Sequence, residues 1–167
     1  MEKRTLLAWM ATAPLLAACG FRLRGVPEFA FHSLYIAAPA ASPLARELLR
    51  TLQGSGGSLV VSRDPAQLTQ SEAIMDLVSE QRERVVVAFN SSGQVRELQL
   101  RLRVKFKLRT PEGDELIPVT ELLQTRDVSY NESIALAKEA EEALLFRNMQ
   151  TDIVQQLMRR LSAAQME

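Results

Sequence analysis

The chain has 167 residues, 47% of them hydrophobic and 24% charged, a composition that suits one ordinary globular domain and excludes a disordered or fibrous protein. Twenty basic residues balance 20 acidic ones, and this zero net charge argues against a generic nucleic-acid binder. One cysteine and one histidine, Cys19 and His32, allow neither an internal disulfide nor a zinc site built from Cys and His.

The first predicted element is a leader. Met1-Glu2-Lys3-Arg4 is a short charged start, Leu6 to Ala13 is apolar, Pro14 breaks the run, and Leu16-Ala17-Ala18 precedes Cys19. That order describes a secretory signal, too short for a membrane-spanning helix. Small residues directly before the cysteine resemble the bacterial lipobox, in which the thiol receives a diacylglycerol and the cysteine becomes the first mature residue. The competing reading is an ordinary signal with a cysteine nearby by chance. Each buried CH₂ contributes about 0.8 kcal/mol, so two acyl chains on Cys19 hold a protein at a membrane stably. By resemblance to lipoprotein sorting in Gram-negative bacteria, Gly20 after the cysteine favours the outer membrane. Cleavage removes Glu2, Lys3 and Arg4 and leaves 18 basic and 19 acidic residues.

His32 to Ala38 reads as a first strand, rich in aromatic and β-branched residues. A helix follows, with Ser42 as N-cap, Pro43 at its first position and Gly54 at its stop. Leu44, Leu48, Leu49 and Leu52 mark its apolar face. After the turn Gly54-Ser55-Gly56-Gly57, Leu59 to Val61 adds at most a short extended piece. Ala73 to Val78 and Val85 to Phe89 are apolar strands, and the polar bridge Ser79 to Arg84 between them is open to strand or loop. Asn90-Ser91-Ser92-Gly93 signals a hairpin turn.

The strongest periodicity comes next. Leu98, Leu100, Leu102, Val104, Phe106 and Leu108 alternate with polar residues, which predicts a long strand with one buried face, about 36 Å from end to end. Thr110 to Asp114 turns the chain, and Glu115 to Val128 returns as a strand that Pro118 makes an edge or a bulge. From about Ser133 to Ala164 there is no Gly or Pro, and Phe146, Met149, Ile153, Leu157 and Leu161 form a helical stripe. This run is one helix or a helix bent midway. The element order predicts an α+β layer with two helices against one sheet face.

Catalysis finds little support. No Gly-x-Ser-x-Gly elbow, phosphate-binding glycine loop, dinucleotide fingerprint or His-Glu-x-x-His is present. Glu141 and Glu142 read as solvated charges on a polar helix face. No cofactor and no metal are expected. The sharpest charged feature is a strip, Arg101, Arg103, Lys105, Lys107 and Arg109, projecting from one strand face at about 6.6 Å intervals. One reading is a solvated sheet face with Glu115, Glu121 or Asp127 pairing across the ladder. The other is a linear anion-binding surface, because a row of like charges is more favourable beside a polyanion.

Two stretches resemble the LptE family of lipopolysaccharide-assembly lipoproteins. The first is Cys19-Gly20-Phe21-Arg22-Leu23-Arg24-Gly25; the second is Ala135-Leu136-Ala137-Lys138, followed by Glu141, Glu142, Gln156-Leu157 and Arg159-Arg160-Leu161. Pro43-Leu44 with Arg46 at the head of the first helix also fits. The resemblance implies a non-enzymatic domain with two helices packed on one face of a mostly antiparallel, about four-stranded sheet. It implies an outer-membrane location facing the periplasm and the lumen of the β-barrel LptD, which such proteins plug and help to assemble. It also implies binding of lipopolysaccharide, with Lys138 as the Lys of the Ala-Leu-Ala-Lys motif. The arginine that accompanies that lysine in the family is replaced here by Asn90-Ser91-Ser92, leaving Arg96 or the basic strip to serve. Without the resemblance, Lys138 reads as an exposed charge near a helix start, where a cation is mildly unfavourable. The expected organisation is a removed signal over 1–18, a lipidated segment over 19–30, one α+β domain over 31–164 and a short tail over 165–167. The alternative is another envelope lipoprotein that binds a polyanionic or cell-wall ligand.

Overall fold

Three long alternating strands dominate the architecture, and two short ones extend it. The computed structural model describes residues 27–129 and 135–166, so the signal, Cys19 and the start of the last helical run at Ser133 lie outside the described residues. The strands are β1 (Ser33–Ala37), β2 (Val60–Ser62), β3 (Ala73–Phe89), β4 (Val95–Arg109) and β5 (Glu115–Ser129). Helix α1 spans Pro43–Gln53 and helix α2 spans Ala135–Ser162, with a 3₁₀ segment at Pro65–Gln70.

The sheet has five strands in the order β2-β1-β3-β4-β5. It is mixed: β1 runs parallel to both β2 and β3, while β3, β4 and β5 form an antiparallel meander. This corrects the expectation of about four, mostly antiparallel strands. The added strand, β2, is only three residues long and follows a glycine-rich turn, and parallel pairing carries no hairpin signature in sequence.

Helix α1 starts where expected. The Ser42 hydroxyl accepts from the Ala45 N–H at 3.0 Å, Pro43 occupies the first turn, and Gly54 closes the end by donating to the Arg50 carbonyl at 2.9 Å. Helix α2 is one element of 28 residues, about 42 Å long, and resolves the question of a midway break. Gly93 and Gly113, with φ of 79° and 108°, let the two meander turns close tightly.

Both helices cover the same sheet face. Leu44, Leu48 and Leu52 of α1 and Met149, Ile153 and Leu157 of α2 belong to one buried cluster with the five apolar residues from Leu100 through Leu108 and their neighbours on β1 and β3. Along β4, every even position from Leu98 to Leu108 is buried, as the alternation predicts. Burying each such side chain stabilises the fold by about 1.5–3 kcal/mol. The strand β5 is an edge, and the two residues Pro118 and Val119 bulge out between Ile117 and Thr120, where β4 spends one residue.

The polar bridge Ser79 to Arg84 is strand, not loop: β3 is continuous over 17 residues. A bulge at Val78 reverses its phase. Before it, Ala73, Met75 and Leu77 face the helices; after it, Glu80, Arg82 and Arg84 do, because they pair with Val104, Leu102 and Leu100.

Candidate functional site

Two charged surfaces lie on opposite faces of the meander. On the open face stand the five cations of β4. Arg109 Nε donates to Asp76 Oδ2 at 2.8 Å, and the same oxygen lies 3.7 Å from Lys107 Nζ. Arg103 bonds Glu121 and lies 3.5 Å from Glu83, and Lys105 Nζ is 3.7 Å from Glu121. Arg101 donates to Gln99 Oε1 at 2.8 Å and is the member of the strip with no carboxylate partner among the described residues. Of the carboxylates named from sequence, Glu121 does pair with the strip. Asp127 instead accepts from the Gln99 amide at 2.9 Å, and Glu115 sits opposite Arg109, whose guanidinium turns to Asp76. The strip is thus brought together on one face, and three carboxylates lace it laterally.

The helix face carries a polar row that the sequence reading missed. Glu80 accepts from the Ser42 hydroxyl at 2.7 Å and so fixes the head of α1 to β3. Arg82 donates to Gln150 Oε1 at 3.1 Å, and its guanidinium lies 5.4 Å from the centre of the Phe146 ring. Arg84 Nη2 stands 2.7 Å from Glu142 Oε2. Glu142 is therefore not a solvated charge, as expected from sequence: its side chain is 5% exposed beneath that of Arg84. The contact is an ion pair without an aligned hydrogen bond, since Oε2 has no bonded donor. The signal available in sequence was the recurrence of Glu80, Arg82 and Arg84 at alternate positions of the polar bridge between two apolar runs.

Lys138 lies in the first turn of α2, where Nζ donates to Glu141 Oε2 at 2.7 Å. Its side chain is 14% exposed, so it is a largely enclosed cation rather than the exposed surface lysine of the plain reading. It is on a different element from the strip. His32 is 80% exposed, with Nδ1 at 3.4 Å from Glu72. Among the described residues no group of three or more His, Cys, Asp or Glu side chains is placed to hold a metal. No helix among them is long and apolar enough to cross a membrane.

The domain presents two differently wired charged faces, and known proteins share its fold. The family model described as lipopolysaccharide-assembly, LptE, matches residues 31–161. The LPS-assembly lipoprotein LptE of Yersinia enterocolitica is 31% identical over 165 residues, which covers 96% of this chain and 77% of that one. Among solved structures, uncharacterized lipoprotein B from Nitrosomonas europaea superposes with a TM-score of 0.72 at 36% identity, over 86% of this chain and 91% of that one. The rare lipoprotein B from Shewanella oneidensis, at 20% identity and a TM-score of 0.65 over 78% of this chain and 94% of its own, shares the fold. With the match covering the sheet and both helices, the chain belongs to the LptE family of lipopolysaccharide-assembly lipoproteins.

Proposed function

We propose that this protein is a non-enzymatic outer-membrane lipoprotein, anchored through Cys19, that assembles with and plugs the lipopolysaccharide-translocating barrel LptD. The observation that carries the reading is the family match over 31–161, joined to a lipobox-like start. The open face of the meander supports it physically. Its cations and carboxylates are cross-linked on a rigid sheet, which suits the polar inner wall of a large barrel better than it suits lipid.

Lipopolysaccharide is the second partner in this reading. Lys138 is one contact for its phosphates, which exchange there with Glu141, and a largely enclosed cation interacts more strongly than one in bulk water. The strip Arg101, Arg103, Lys105, Lys107 and Arg109 is a further contact, at which phosphates exchange with Asp76, Glu83 and Glu121. Affinity purification of the full chain from detergent-solubilised outer membranes tests the assembly. A stoichiometric large β-barrel is the expected co-purifying protein. Recovery of the lipoprotein without one, or with a cell-wall polymer instead, overturns it.

A further inference from the structure

The basic strip was the conspicuous charged feature in sequence, yet its cations already share carboxylates. The reverse holds on the helix face. Arg46 and Arg50 of α1, Arg82 of β3 and Arg147 of α2 converge around a groove of about 620 Å³, floored by Pro43 and Leu49. Among the described residues none of these four arginines makes an ion pair. The one carboxylate in the groove wall, Glu47, is occupied: it accepts from the Thr151 hydroxyl at 2.7 Å and from the Gln150 amide.

Four cations from three elements thus face one space, and two of them are stacked one helical turn apart on α1, an arrangement that repels. Glu47 sets one negative charge against these four positive ones, so the groove keeps an excess of positive charge. Arg82 is held in place, by Gln150 at 3.1 Å and by the Phe146 ring, so its guanidinium is already oriented. The side chains are all arginine, whose planar fork matches phosphate bidentately, where lysine offers a point charge. One carboxylate has two oxygens and one charge for four such forks; a phosphate monoester offers three oxygens and close to two charges.

We propose that the groove between α1 and α2 binds a phosphate group carried on a sugar or lipid headgroup, through Arg46, Arg50, Arg82 and Arg147. Pro43 and Leu49 supply an apolar surface for the carrier of that phosphate. This site lies on the face opposite the strip and is separate from Lys138. It depends on the function proposed above only for the identity of the natural ligand.

The test uses the full lipidated chain in non-ionic detergent at one fixed ionic strength. The probes are inorganic pyrophosphate and, separately, lipid A in mixed micelles. The variant Arg46→Gln/Arg50→Gln/Arg147→Gln leaves Arg82 and its contacts in place. A control, Arg126→Gln/Arg159→Gln/Arg160→Gln, removes the same charge away from both the groove and the strip. The groove variant should melt no lower than wild type, because repulsion is relieved, and should lose at least tenfold in affinity for pyrophosphate. The control should lose less than threefold. A parallel loss for lipid A identifies a lipid headgroup as the carrier; a loss confined to pyrophosphate identifies a soluble phosphorylated ligand.

Equal losses in the two variants overturn the site, since net charge alone then accounts for binding. So does a groove variant that binds both probes like wild type but no longer co-purifies with the barrel, which assigns the arginines to an acidic protein surface. If lipid A fails to bind the wild type while pyrophosphate binds through the groove, the groove stands and the lipopolysaccharide reading falls. If lipid A binding depends on Lys138 and the groove variant binds both probes like wild type, the lipopolysaccharide reading stands and the groove falls.

Discussion

Arg84 of β3 and Glu142 of α2 meet at 2.7 Å with unequal exposure, the arginine side chain 61% exposed and the glutamate 5%. The carboxylate is the member that loses its water, and the arginine is what compensates it. Truncating Arg84 to alanine strands a nearly buried charge, whereas Glu142→Gln removes the charge and keeps the shape. We expect Arg84→Ala to destabilise by about 1–3 kcal/mol and Glu142→Gln by less. Urea melts of the two variants decide it, and an Arg84→Ala protein as stable as wild type would show that the pair contributes nothing.

The two faces of β4 predict opposite tolerance. Phe106 is fully buried, and Phe106→Ala should cost about 3–5 kcal/mol. Its neighbour Lys105 points to the open face, and Lys105→Gln should stay within about 0.5 kcal/mol of wild type. Comparable melting temperatures for the two variants would mean that the strand faces are reversed.

Cys19 is expected to carry the anchor. Cys19→Ser keeps the side chain small and removes the acyl acceptor, so metabolic labelling with a radioactive fatty acid should mark the wild type alone. Equal labelling of both would eliminate the lipobox reading.

Lys138→Glu should weaken lipopolysaccharide binding, because it places two carboxylates side by side where Lys138 now bonds Glu141. Lys105→Glu/Lys107→Glu should weaken it separately by setting new negative charge beside Asp76 and Glu121, which keep only Arg109 and Arg103 as partners. Each contact is worth about 1 kcal/mol or less where exposed, and binding should fall as salt rises. Lipopolysaccharide titrations with circular dichroism as a fold control are the measurement. If both variants fold and bind like wild type, neither surface holds the ligand.

Much of this architecture is written in local pattern. The alternation of β4, the Ser42-Pro43 start and Gly54 stop of α1, and the i, i+3, i+4 stripe of α2 each express one buried face, and each appears where its pattern lies. What local pattern does not carry is pairing over distance. The strand β2 is three residues long and its partner β1 lies on the far side of α1, so the glycine turn and the short extended piece at Leu59 to Val61 are visible but their parallel pairing is not. The charged row of β3 was hidden for a different reason. Glu80, Arg82 and Arg84 look solvent-facing until Ser42, Gln150 and Glu142 arrive from other elements to satisfy them. The open-face strip was visible as a row, but its lateral pairing to Asp76, Glu83 and Glu121 needed the register.

The position of β1 in the sheet has a kinetic consequence. The meander β3-β4-β5 closes through two tight turns, so its contacts are local and their loop-closure entropy is small. By contrast β1 is inserted between β2 and β3, with Leu34 beside both Val61 and Ala73, and neither neighbour exists until the chain beyond α1 is available. The meander is therefore expected to form first and β1 to slot in afterwards. Native-state hydrogen exchange should find β4 amides the slowest and the β1–β2 pair the first to open. Because β1 is also the strand closest in sequence to Cys19, tension from a membrane tether would act on the part of the sheet that yields most readily and leave the meander intact.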